Sequence, residues 1–398
     1  MHEKYGPIVR INPREVHIKD AKFYSSIYTG GTRKVEKDPS TVAAFAVPSS
    51  VAATIPHDIH RSRRGYMNPY FSKRAIVELE PMIHERITRF CERLDDAFKR
   101  GAPINLDKAF AAMTADIITN RFYGSHFDYL STPTFDFPVR EAFLGVSMLF
   151  NFSRFFPRPV QLLRKMPIPI IGMILPSVAK FLWLQEDIKK NITATLAANS
   201  TTDAEKKSVI VQALGDDRIP HRERGLARLL DEGTVIIFAG TETSARALSV
   251  AMFHFARNKK LVAALRQDLS TLPPCEGDEY VLSQLEPLPY LYPVSQSTLH
   301  VHRDESIFPN AKEFDPNRWV EADKAGIVLN NHLCSFTKGS RQCLGIAIVR
   351  SYDMDLYDTI EDDVGIHNVR IVGYPKKTAE RGEGQGEVKI TISAKTGL

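Results

Sequence analysis

The sequence predicts a mainly helical single domain with a minor β component. Two patterns carry that prediction. From Asp58 onward apolar residues recur at helical spacing, while strict apolar–polar alternation is confined to the two ends. No internal repeat, low-complexity tract or clear linker interrupts the 398 residues, so 1–398 reads as one domain. Length alone would suit two or three domains of ~150 residues each.

Taken in order, IVRINPREVHI (8–18) sets two β-branched runs around Asn12-Pro13, a short hairpin. DAKFYSSIY reads as a brief helix, and 29–56 as a long loop. Helical spacing over 75–98 and 109–123 predicts two helices. A longer one is expected over 222–257, past the ~10–14 residues of an average helix, with VIIFAG as its apolar middle. The tail GEVKITISAK alternates Val388, Ile390, Ile392 and Ala394 with polar neighbours, as a half-buried strand does.

Apolar residues make up 43% and charged residues 25%, the profile of a soluble globular chain with a large core. The net charge of +5 comes without any long block of Lys or Arg, which argues against nucleic acid as a partner. Cys91, Cys275, Cys334 and Cys343 show neither CxxC spacing nor a ladder of pairs, so neither a disulfide framework nor a zinc ribbon is expected. The opening MHEKYGPIVR carries no apolar signal or anchor. MPIPIIGMILPSV (166–178) is the most apolar stretch, too short for the about 20 residues that span a bilayer. It either lies on a membrane surface, lines an apolar pocket, or is a proline-broken core segment.

One cysteine has unusual neighbours: SFTKGSRQCLG, 335–345. Gly339 and Gly345 permit tight turns and close approach to something flat. LGIAIVR after Cys343 can begin a helix, whose free N–H groups would favour a thiolate. Arg341 supplies a permanent cation suited to a carboxylate. A soft anionic ligand, a carboxylate clamp and room for a plane are what a haem requires.

This stretch resembles the haem-thiolate signature of the cytochrome P450 family, FxxGxRxCxG, at Phe336, Gly339, Arg341, Cys343 and Gly345. Five fixed positions recur by chance in on the order of 10⁻⁴ of chains this long. FAGTETSA (238–245) resembles the family's oxygen-binding motif, with Ala239, Gly240, Glu242, Thr243 and Ser244 in place. A threonine there can bond back to the carbonyl one turn earlier and bend the helix. The resemblance implies that Thr243 holds oxygen and Glu242 relays protons; taken alone, the segment also suits a small-residue helix crossing with a solvated Glu. HDIHRSRRGYMNPYF (57–71) puts His60 and Arg64 four apart on one helix face. The family's HxxxR contacts a haem propionate, and Phe71 matches a Phe seven residues later. Arg61 and Arg63 read as a water-facing basic face that could meet an acidic redox partner. FDPNRW (314–319) resembles the segment before the cysteine loop, with Arg318 in the Arg position.

The resemblance therefore implies a cytochrome P450 fold holding haem b (iron protoporphyrin IX). Cys343 would bind iron; His60, Arg64 and Arg341 would hold propionates; Ala239, Gly240, Phe336, Gly339 and Gly345 would frame the cofactor; Thr243 and Glu242 would be catalytic. It implies O2, an apolar small-molecule substrate and NADPH–cytochrome P450 reductase as partners. Walls for the substrate are expected from 143–178 and 29–56. The overall flavour is that of fungal, trichodiene-oxygenase-like members that oxidise sesquiterpenoids in secondary metabolism. Family members of this kind sit on the cytosolic face of the endoplasmic reticulum; with no anchor here, a cytoplasmic chain with peripheral membrane contact is the expectation.

The match breaks in two places. No Glu is followed three residues later by Arg anywhere in the chain, so the family's Glu-x-x-Arg helix is missing. After Cys343 the chain runs from CLGIAIVRS into YDMDLYDT, where the family has a long helix. Arg318 would then lack its family partner and must find another acid, reach water or weaken the cysteine loop, since stranding one member of a buried pair costs roughly 3–5 kcal/mol. The alternative to a monooxygenase is thus a non-catalytic, truncated remnant that cannot stably hold haem.

Overall fold

The structure is a computed structural model. It describes residues 1–13, 15–20, 23–28, 34–43, 47–124, 127–163, 165–197, 209, 216–272, 281, 284, 304–311, 313, 315–327, 329, 353–356, 368–369, 373–374 and 388–394. In chain order the main elements are strands β1 (Ile8–Asn12) and β2 (Glu15–Ile18), helices α1 (His57–Met67) and α2 (Glu80–Arg100), strand β3 (Ile104–Asn105), and helices α3 (Leu106–Tyr123), α4 (Pro138–Phe155), α5 (Ile168–Ile174), α6 (Pro176–Ala197), α7 (Leu226–Arg257), α8 (Lys259–Ser270) and α9 (Asn317–Lys324). Strands β4 (Asp353–Leu356), β5 (Asn368–Val369), β6 (Gly373–Tyr374) and β7 (Lys389–Ala394) follow. The chain divides into two compact units, Met1–Lys34 with Asn258–Ala347, and Val35–Arg257 with Ile348–Leu398.

The larger unit is built on α3. This helix has an apolar or small residue at most positions, so it is buried nearly all round rather than along one stripe. It starts where the Asn105 side chain accepts the Lys108 N–H at 3.0 Å, satisfying one of the orphan donors of the first turn. It stops at Gly124, whose φ of 80° is the left-handed cap that side chains resist. Asp116, fully buried, then accepts the N–H groups of Tyr129 and Leu130 at 2.9 and 3.1 Å and lies 3.7 Å from Arg86 of α2. That fixes the turn after α3 against α2.

The expected 75–98 helix is divided. A short turn, Lys73–Val77, precedes α2, and Pro81 in the first turn of α2 marks the new start, because proline lacks the N–H an interior position needs. Phe90, Leu94 and Ala97 are the buried face of α2. The loop expected over 29–56 contains a helical turn, Pro39–Ala43; residues 29–33 and 44–46 lie outside the described set. The long helix begins at Leu226 rather than 222, because His221–Glu223 forms a separate 3-10 turn.

β7 is the central strand of an antiparallel sheet ordered β3-β7-β4, with Ile390 opposite Ile104 on one side and Leu356 on the other. Val388 and Ile390 are fully buried and Lys389 between them is not, as the alternation predicts. The buried Asp107 carboxylate accepts the Val388 N–H and an Arg246 N–H at 3.2 Å, tying the closing strand to α3 and α7.

In the smaller unit β1 and β2 pair antiparallel as the hairpin the sequence predicts, with Ile8 opposite Ile18. Tyr24–Ile27 is the brief helix expected there. Tyr24, Phe308, Ala322 and Leu329 form a small core against which Trp319 packs. Helix α8 buries Leu261, Leu265 and Leu269, one per turn. Arg318, on α9, donates to the Asn310 carbonyl at 2.9 Å and remains half-exposed; among the described residues it has no acidic partner. Backbone carbonyls, a fate not among the three expected, take its guanidinium instead, the Glu313 carbonyl lying at 3.5 Å.

Candidate functional site

The oxygen-motif segment lies in the middle of α7. Most of its turn is buried: Phe238, Thr241, Glu242 and Ala245. Ala239, Thr243 and Ala247, spaced four apart, are exposed instead and make a strip of small side chains along one edge. The Thr243 hydroxyl donates to the Ala239 carbonyl at 2.6 Å, the back-bond expected from the sequence. Gly240 faces α3: a side chain there would meet Ile118 Cγ1 and Cδ1 at 2.6 and 2.7 Å. Thr114 of α3 donates to the Thr241 carbonyl at 3.1 Å beside it. The small residue thus serves the α3–α7 crossing, one half of the simpler reading of this segment. The other half, a solvated Glu242, does not hold.

Glu242 is buried, at 9% exposure, on the side of α7 that meets α4. Among the described residues its Oε1 has no hydrogen-bond partner, and it lies 3.9 Å from Arg140 Nε. Burial pushes its pKa up to about 7; Arg140 and Arg246 pull the other way, and Asp107 adds to the rise. A carboxyl poised near neutrality inside a core is suited to taking up and releasing a proton. One turn away Phe238 meets Phe143 of α4 and Phe181 of α6, ring centroids 5.6 and 5.7 Å apart. All three rings are buried. Glu242 and Phe238 of α7 therefore face Arg140 and Phe143 of α4 as two successive rungs.

His60 and Arg64 do share one face of α1; His60 is buried and Arg64 half-buried, and Phe71 is half-buried at the end of the following turn. Arg61 is exposed, as expected. Arg63 corrects the expectation of a water-facing cation. Its guanidinium donates to Glu223 at 2.8 Å, to the Ser49 carbonyl at 3.0 Å and to Thr54 Oγ1 at 2.9 Å. Glu223 also takes Arg228 of α7 at 3.3 Å. Burial would raise the Glu223 pKa, but the two guanidiniums hold it below the ordinary carboxylate range. Asp231 and Glu232 accept the N–H groups of Ser49 and Val51 at 2.7 and 2.9 Å. The 47–54 turn and α1 are thereby fastened to the N-terminal part of α7, the helix that carries Thr243.

Phe336, Gly339, Arg341, Cys343 and Gly345 lie outside the described residues, as does the expected helix after Cys343. The structure thus places His60, Arg64, Ala239, Gly240, Glu242 and Thr243 in one unit, on α1 and α7.

The cytochrome P450 family model matches residues 1–294 and 292–351 of the chain. A cytochrome P450 monooxygenase, TRI4, of Trichoderma arundinaceum is 44% identical, over 99% of this chain and 86% of its own length. Its Fusarium sporotrichioides counterpart is 42% identical over 98% and 85%. The monooxygenase pbrB of Penicillium brasilianum is 39% identical over 98% and 86%.

The chain belongs to the cytochrome P450 family.

A solved cyanobacterial P450, CYP120A1 with retinoic acid bound, shares the fold: the TM-score is 0.71 at 18% identity, covering 98% of this chain and 92% of that one. P450s use haem b, and the described residues fit such a group. The exposed strip Ala239–Thr243–Ala247 leaves a face of α7 without bulky side chains, and the His60–Arg64 pair offers donors for carboxylates. The match to the family model comes in two pieces that meet at residues 292–294. The alignment with the Trichoderma P450 runs over 444 positions, more than the 398 residues of this chain, so that relative carries residues this chain does not. Arg140 and Phe181 were not legible as site residues, because nothing local marks them; only the crossings of α4 and α6 with α7 bring them to the motif.

Proposed function

We propose that the chain is a haem-thiolate monooxygenase of secondary metabolism that inserts one oxygen atom from O2 into an apolar, sesquiterpene-like molecule. When bound, haem supplies the activation of dioxygen with electrons from NADPH delivered through NADPH–cytochrome P450 reductase. Cys343 would hold the iron, with Phe336, Gly339 and Gly345 shaping its loop. Arg341, His60 and Arg64 would hold the propionates, Ala239 and Gly240 belonging to the same frame.

The observation that carries this reading is the Thr243–Ala239 back-bond on an open edge of α7, beside a buried carboxyl. Thr243 presents its oxygen on the open edge; Glu242 holds a proton at Oε1 on the flank. Phe143, Phe181 and Phe238 give an apolar wall for a hydrocarbon and keep water from the carboxyl. The two units would act together as one P450 domain.

Membrane association is part of the proposal. Ile171 of α5 packs into a core with Val178 and Ala179, while Ile170, Met173 and Ile174 on the other face are 43, 86 and 61% exposed. Phe156 and Leu162 just upstream are exposed as well. Such a patch, with Arg158 and Lys165 exposed beside it, suits peripheral contact with a lipid surface, in keeping with the cytosolic face of the endoplasmic reticulum.

A second reading is supported by the two-piece family match, the absent Glu-x-x-Arg and the carbonyl-bound Arg318: a P450 remnant that does not hold haem. Incubation of the purified full chain with haem, reductase, NADPH, a sesquiterpene hydrocarbon and isotopically heavy dioxygen separates the two. One heavy oxygen atom in the product supports the monooxygenase; NADPH-independent recovery of unchanged hydrocarbon supports the remnant.

A further inference from the structure

Away from α7, two histidines meet at the amino-terminal hairpin. His17 is on β2, opposite Val9 of β1. His2 belongs to a helical turn, His2–Tyr5, which ends at Gly6, where φ is 85°. Two bonds between the same pair of residues close that turn. The Gly6 N–H donates to the His2 carbonyl at 2.9 Å, and His2 Nδ1 meets the Gly6 carbonyl at 2.8 Å. A carbonyl only accepts, so His2 Nδ1 carries a proton. In the neutral ring Nε2 then bears a lone pair, and it is aimed at His17 Nδ1, 2.6 Å away. The ring centroids lie 4.9 Å apart, the planes tilted by 41°. Both side chains are half-buried, within reach of solvent.

Metal-binding histidines are prepared in this way, one nitrogen tied to a carbonyl and the other presented. Two nitrogens bound at about 2.0–2.1 Å to a tetrahedral ion stand roughly 3.3 Å apart, only slightly wider than the separation here. Imidazole pairs suit Zn2+, Ni2+ and Cu2+, whereas Ca2+ and Mg2+ require oxygen ligands. No cluster of three or more His, Cys, Asp or Glu able to hold a metal occurs among the described residues, so water would complete the coordination of an ion held by this pair. Such a site is open and exchangeable.

We propose that His2 and His17 form a binding site for a divalent transition-metal ion of the zinc class, which staples the turn His2–Tyr5 to β2. His2 supplies Nε2 and His17 supplies Nδ1. As the ion enters, the His17 proton passes from Nδ1 to Nε2 through water, and two metal–nitrogen bonds replace the bond between the rings. The haem reading uses neither residue, so the two stand or fall separately.

The test uses the untagged full chain, stripped with a chelator, and zinc ions. In equilibrium dialysis the wild type should hold one zinc equivalent more than H2Q or H17Q. Hydrogen exchange of peptides covering 1–18 reads the staple directly. At free zinc ten times the dissociation constant, exchange through opening of this segment should slow about tenfold in the wild type and not at all in either variant. If H17Q disturbs the β2 ladder, H2Q, which lies outside it, gives the same reading. H221Q, at an exposed histidine elsewhere, should match the wild type. Equal zinc content in wild type, H2Q and H17Q would overturn the proposal. So would slowing that persists in both variants, slowing produced equally by Mg2+, or the same loss in H221Q.

Discussion

Glu242→Gln should flatten a decline in stability that the wild type shows as pH rises from about 4.5 to about 7. The carboxyl has an ordinary pKa of 4.5 and is pushed up to about 7 in the fold, chiefly by burial. A group whose pKa is raised on folding binds its proton more tightly in the native state. Its contribution is fully present below pH 4.5 and is lost as pH climbs through 7. The full span corresponds to roughly 3 kcal/mol, at about 1.4 kcal/mol per pH unit. Glutamine has the same shape and no titration, so urea denaturation at a series of pH values should show the two proteins diverging across that window, the variant being the more stable above it. Parallel curves would mean that Glu242 is solvated, and the assignment of a proton-holding role would fall with it.

Gly145→Ala should be the more damaging of the two glycine substitutions at helix crossings. A methyl group on Gly145 of α4 would stand 2.6 Å from the Ser177 carbonyl carbon and 2.7 Å from its oxygen. Those are backbone atoms of the first turn of α6, so the conflict can be relieved only by moving one helix away from the other. Overpacking of this kind costs about 1–3 kcal/mol. The Phe143–Phe238–Phe181 contact should loosen with it, since two of its rings ride on those two helices. At Gly240 the obstruction is the Ile118 side chain, which can change rotamer, so Gly240→Ala should cost less. Thermal denaturation of the two variants checks the order; a neutral Gly145→Ala would contradict the described crossing.

Much of the architecture was readable where the signal is local. The hairpin follows from two β-branched runs around one Asn-Pro, and the burial of Val388 and Ile390 from simple alternation. The Thr243 back-bond follows from the residue type and a one-turn spacing. What escaped the sequence depends on partners far along the chain. Arg63 is like its neighbour Arg61 in composition, yet Glu223, 160 residues on, captures it. Arg86 and Asp116 form a buried pair that neither helix pattern announces. The sequence left Glu242 either a proton relay or a solvated acid, because charge alone does not reveal which face of α7 meets α4; the structure buries it. The apolar 166–178 stretch was ambiguous for the same reason, and the structure gives it two faces, one in a core and one open.

The central claim is that Cys343 supplies a thiolate to haem iron in this chain. The most direct measurement is the absorption spectrum of the purified full chain loaded with haem, reduced and exposed to carbon monoxide, beside that of Cys343→Ser. A red-shifted, thiolate-type Soret band in the native sequence, lost in the serine variant, is the predicted result. A protein that stays colourless with haem, or that gives the same bands with serine at position 343, would contradict it.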